Sequence, residues 1–195
     1  METSALQALR AKLKRGRVYR REDLAQWSKS VDRHLAALLE LGVLKKLRQG
    51  LYVCPKRSVF GEVPPDDREL VRAFLKTDDF LLVSPNVYNS MGLGATQLYN
   101  TTLVYNHKRH GRFQLNNRFF EFRQVHYSLP KRLTEDFLLV ELMNHPELLA
   151  EERPLVERKV VDRVKAWEPS RLRKAVRAYS IETGKKAFQQ VLQSP

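Results

Sequence analysis

A single cysteine, Cys54, is the whole thiol content of this 195-residue chain. A lone thiol closes no internal disulfide, so a reducing cytoplasm is the expected setting. Among its apolar neighbours Cys54 reads as a small buried side chain. Long apolar runs are missing as well. No stretch approaches the ~20 residues of a membrane-spanning helix, which argues against a membrane partner. The opening METSALQALRAKLKRG has neither an apolar core nor a small-residue cleavage site, so it does not read as a secretory signal. Internal repeats and low-complexity tracts are also lacking.

The signatures of catalysis are absent too. GLGATQ, starting at Gly92, lacks the lysine followed by a hydroxyl residue that a phosphate-binding loop needs. His107 and His110 sit beside Lys108, Arg109 and Arg112, which would repel a metal ion, so NHKRH reads as a solvated basic turn. Glu121 and Arg123 alternate with phenylalanines, as one polar face of a strand does. Glu135 and Asp136 after Thr134 mark a helix start. No catalytic residue, metal or cofactor is expected.

What the chain does have is positive charge, 35 Lys and Arg against 22 Asp and Glu, for a net +13. Residues 1–57 hold 14 basic and 5 acidic residues, residues 58–152 hold 10 and 13, and residues 153–195 hold 11 and 4. The ends are basic and the middle is not. Such footprints suit a polyanion, nucleic acid before an anionic membrane.

The pattern predicts an α+β chain. Thr3 or Ser4 opens a first helix with Ala5, Leu6, Leu9 and Leu13 on one side, and Gly16 ends it. VYRREDLAQWS gives a short second helix with Leu24, Ala25 and Trp27 inward. Ser30 caps a third with the stripe Val31, Leu35, Leu38 and Leu39, closed by Gly42. VLKKL, the turn RQG and LYVC then form a hairpin in which Gly50 suits positive φ. Three helices and a hairpin make a winged helix-turn-helix over residues 1–60. GEVPP, residues 61–65, reads as a linker. Residues 66–195 form a mixed α+β domain: a helix, strands including a hairpin turned at Asn116-Asn117, then helices punctuated by Pro130, Pro146, Pro154, Pro169 and Gly184.

In that architecture the third helix enters the major groove of double-stranded DNA. Its candidate contacts are Lys29, Ser30, Arg33, His34 and Ala37, with Arg33 able to read a guanine edge. Lys45, Lys46, Arg48 and Gln49 surround the wing tip, and Arg17, Arg20 and Arg21 precede the second helix near the phosphates. A further basic surface is predicted from Arg158, Lys159, Arg163, Arg171, Arg173, Lys174 and Arg177, unless these are only the wet faces of amphipathic helices.

The winged part ending in LGVLKKLRQGLYVCP, followed by LLVSPNVYNSMGLGATQLYNTTLVYN, a hairpin and a helical tail, resembles the AbiEi-type antitoxins of type IV (abortive infection) toxin–antitoxin systems. The resemblance implies a repressor that binds inverted repeats in its own operon. It also implies a C-terminal domain that counters a nucleotidyltransferase-like toxin without a stable complex. Two other classes stay open: a DNA-targeted nuclease or transferase with a winged-helix targeting domain, and a winged-helix protein-interaction adaptor. The first would cut or modify DNA, and the second would show no salt-sensitive DNA affinity.

Overall fold

In the computed structural model, which describes residues 4–94 and 98–193, strands and short helices alternate early and helices alone close the chain. Thr3, offered as an N-cap, and Ala95–Gln97 of GLGATQ lie outside the described residues. The chain divides into two units, Met1–Asp78 with Gln114–Arg118, and Asp79–Phe113 with Phe119–Pro195.

The first unit contains α1 (Ser4–Lys12), β1 (Val18–Arg20), α2 (Arg21–Ala25), α3 (Val31–Glu40), β2 (Lys45–Arg48), β3 (Leu51–Val53), β4 (Lys56–Ser58), β5 (Gly61–Val63) and α4 (Asp67–Leu75). Val31, Leu35 and Leu38 recur at helical spacing and are buried with Leu6, Leu9 and Leu24. Full burial of each leucine is worth roughly 1.5–3 kcal/mol. The α3 helix ends at Gly42, whose φ of +65° a side chain would strain, and the Val43 and Leu44 amides return to the Leu38 carbonyl.

Four expectations for this unit change. The second helix begins only at Arg21, because the β-branched and aromatic Val18-Tyr19-Arg20 pairs with β3 and completes a sheet of order β1-β3-β2. Only Leu24 of its predicted inward residues is buried; Ala25 and Trp27 are exposed. The predicted linker is not one: Gly61–Val63 pairs antiparallel with Lys56–Ser58, and Pro65 is buried. The following helix, assigned by its sequence position to the second domain, belongs to the first unit. Asp66 caps α4 by accepting from the Arg68 and Glu69 amides, and Leu70, Val71, Phe74 and Leu75 are buried. The Arg20 guanidinium, on β1, donates to the Ala73 carbonyl at 2.8 Å.

The second unit contains β6 (Phe80–Val83), α5 (Asn86–Ser90), β7 (Thr102–Asn106), most of β8 (Gly111–Leu115) and β9 (Arg118–Gln124), whose connecting Gln114–Arg118 segment counts with the first unit, and α6 (Glu135–Asn144), α7 (Arg153–Val164), α8 (Pro169–Tyr179) and α9 (Glu182–Gln193). Its sheet has the order β6-β7-β9-β8, with β6–β7 antiparallel and β7–β9 parallel. Asn116 turns β8 into β9 at φ +57°. Every residue of α6 from Phe137 to Asn144 is buried, so the helix runs through the core with no wet face. Its two buried polar residues, Glu141 and Asn144, find partners. Glu141 accepts from the Tyr127 hydroxyl at 2.5 Å and from Asn144 Nδ2 at 2.7 Å, and Asn144 Oδ1 accepts from the Ile181 amide at 3.0 Å. Gly184, expected to punctuate, lies inside α9 instead. A Cβ there would come within 2.2 Å of Asn144 Oδ1, so close approach selects the glycine. The chain is thus mixed α+β, and no helix of the described residues is long and apolar enough to cross a membrane.

Candidate nucleic-acid interface

Burying Val31, Leu35 and Leu38 on one side of α3 turns Asp32, Arg33 and Ala36 outward, with Lys29 exposed just before the helix. In the antiparallel β2–β3 pair Lys45, Lys46, Arg48 and Gln49 are exposed, while Leu51, Tyr52 and Val53 are buried. The two elements are tied together through Arg21. Its amide donates to the Gly50 carbonyl at 3.1 Å, which holds the hairpin turn against the start of α2. Its guanidinium grips Asp32 in the first turn of α3 with Nε–Oδ1 at 2.7 Å and Nη2–Oδ2 at 2.6 Å. That fork raises the Arg21 pKa and lowers that of Asp32.

The predicted contacts therefore divide. Lys29, Arg33, Lys46 and Gln49 are exposed and without a protein partner among the described residues. Lys45, Arg17 and Arg21 are exposed but paired, with Glu62 at 3.0 Å, Glu69 at 2.9 Å and Asp32 at 2.6 Å. Such surface pairs exchange for phosphate at little cost. Arg48 lies over the Phe74 ring at 4.9 Å. Ser30 and Ala37 are only half-exposed.

Two positions are corrected. His34 is buried, with Nδ1 at 2.8 Å from the Ser28 hydroxyl, because i+3 from Val31 falls on the inner side of the helix. Arg20 is partly buried and engaged with the end of α4, so it acts as a brace between elements and not as a free phosphate contact.

The C-terminal set divides the same way. Arg163 pairs with Glu135 at 2.7 Å, Arg171 with Asp136 at 2.6 Å, and Lys159 with Glu151 at 3.6 Å. Arg171 also lies 3.8 Å over the Trp167 ring. Arg158, Arg173, Lys174 and Arg177 are exposed, and the last three share α8.

Sequence reasoning missed one cationic site in the first unit. Arg10, Arg15 and Arg57 line a cleft of about 400 Å³ with Leu13, Val43 and Cys54. Arg57 is far from Arg10 and Arg15 in sequence, and the path of the chain through Gly16 and Pro55 brings it to them. The Cys54 thiol on its wall is pushed up by burial. Among the described residues no group of three or more His, Cys, Asp or Glu side chains forms a metal site.

No protein-family profile and no curated protein matches the chain. The crystal structure of the RV2827C protein from Mycobacterium tuberculosis is similar in fold, with 15% identity and a TM-score of 0.51 over 96% of this chain and 74% of that one. At that identity the likeness concerns the arrangement of elements alone.

Proposed function

We propose that the first unit is a winged helix-turn-helix and that the protein is a sequence-specific DNA-binding repressor. The observation that carries this reading is Arg33 and Lys29, unpaired at the start of α3, beside the exposed Lys46 and Gln49 of the β2–β3 hairpin. In this reading α3 lies in the major groove, where Arg33 reaches guanine O6 and N7 with its two-pronged guanidinium. The hairpin is the wing, and its lysines meet phosphates. Arg21 fixes the angle between wing and helix through Gly50 and Asp32.

The resemblance to AbiEi-type antitoxins extends the proposal. The protein would repress its own operon at inverted repeats in the cytoplasm, and its second unit would counter a nucleotidyltransferase-like toxin. The exposed Arg173, Lys174 and Arg177 of α8 are the proposed surface for that task. The role is one of binding and regulation, without catalysis.

Binding of the full chain to labelled duplexes at rising salt tests the reading. Affinity should fall steeply, and Lys45→Ala with Lys46→Ala should weaken cognate and random duplexes alike while lowering the log–log salt slope by about two. Absent or salt-insensitive binding rejects it. Rescue of toxin-expressing cells by the full chain, lost with Arg173→Ala, Lys174→Ala and Arg177→Ala while DNA binding is kept, tests the second role.

A further inference from the structure

The β4–β5 hairpin touches the interface above only through the Glu62–Lys45 pair, yet its tip carries the most exposed large apolar side chains of the described residues. Val59 and Phe60 at its tip are 94% and 97% exposed. The tip is braced. The Ser58 hydroxyl accepts from the Phe60 amide at 3.2 Å and donates to the Gly61 carbonyl at 3.2 Å, and Gly61 turns the chain at φ +109°. Exposure of this kind on an ordered turn marks a contact surface more often than a scattered surface leucine does.

Cations lie directly beneath the tip. Lys56 and Arg57 are exposed on β4. Glu62 stands opposite Arg57 in the strand register, but its carboxylate is held by Lys45 at 3.0 Å. Arg57 instead lines the cleft shared with Arg10 and Arg15. Arg15 and Arg57 are both exposed, and a guanidinium's planar fork of N–H donors matches the oxygens of a phosphate.

We propose that this hairpin is a second DNA-binding element, resting on the DNA reading above. The phosphodiester backbone lies along Arg15 and Arg57, and Val59 and Phe60 enter the minor groove as an apolar wedge between base steps. A wedge of this kind unstacks one step, and the bend it produces brings more backbone against the protein. The concavity of the cationic site favours DNA over a bilayer, because a phosphate strand enters a cleft and a lipid surface does not.

The test uses the full-length protein and a random-sequence duplex carrying 2-aminopurine, with dyes at both ends for energy transfer. Wild-type protein should raise the 2-aminopurine signal and shorten the end-to-end distance. Val59→Ser with Phe60→Ser should abolish both changes and weaken binding about five- to thirtyfold. Arg15→Ala with Arg57→Ala should lower the log–log salt slope by about two. All four positions are at the surface, and matching thermal melts verify the fold. If the wild type binds and both variants match it in affinity, slope and fluorescence, the hairpin proposal is overturned and the α3–wing reading stands. A wild type that binds no duplex overturns that reading itself. Phe60-dependent binding to phosphatidylserine vesicles, with DNA binding unchanged in the variant, also overturns the proposal.

Discussion

Arg33 and His34 are adjacent in sequence, and the structure puts them in opposite environments. Arg33 is exposed and unpaired, whereas His34 is buried beside Ser28 with Nε2 lacking a hydrogen-bond partner. Arg33→Ala should leave the fold intact and cost about 1–3 kcal/mol on a cognate site, with a smaller loss on random DNA. His34→Ala should do the reverse. It removes packing and leaves the Ser28 hydroxyl only its bond from the Ser30 amide, so denaturant unfolding should show a loss of about 2 kcal/mol, with DNA affinity unchanged in the folded protein. Equal effects of the two substitutions on cognate selectivity would refute this division. The stripe of Val31, Leu35 and Leu38 already contains the answer for His34, since residue 34 lies within that arc. Its polarity suggested solvent, and the Ser28 hydroxyl that makes a buried imidazole tolerable comes from outside the helix. Arg20 misleads for a similar reason: its carbonyl partners lie more than fifty residues on.

At the scale of elements, α6 has the strongest consequence for pH. Tyr88, Tyr105 and Tyr127 surround its buried Glu141, and each tyrosine pKa is raised above the ordinary 10.0, first by burial. The Glu141 charge raises each further. Phenols with raised folded pKa values stay neutral while those of the unfolded chain ionise, so stability is intact below about pH 10 and falls as pH rises beyond it. Absorbance at 295 nm should therefore show these three titrating only together with the loss of helical circular dichroism. Early, separate ionisation would show that the core around Glu141 is open. The helical existence of α6 to α9 is legible from apolar spacing and from the prolines that begin α7 and α8. The pairing of β1 is not, because three residues give too short a pattern and their partner lies beyond α3.

For the whole molecule, the domain boundary is the part least legible in sequence. Pro64 and Pro65 with a change of charge suggested a break near residue 61, yet α4 closes the first unit and Asp78 ends its first segment. Local composition reports stiffness and polarity, and it cannot report that the Arg20 side chain will cap a helix beyond the prolines. A fragment of residues 1–60 should accordingly melt less cooperatively and at lower temperature than one of residues 1–78; identical melts would return the boundary to the prolines. The parallel pairing of β7 with β9 has a consequence of another kind, in the order of synthesis. The place beside β7 is filled by β9, made later than β8. Until Arg118 to Gln124 leaves the ribosome, the nascent chain presents β7 with one open, apolar edge. A pause in translation between the two strands is the moment at which this protein is most exposed to pairing with the wrong chain.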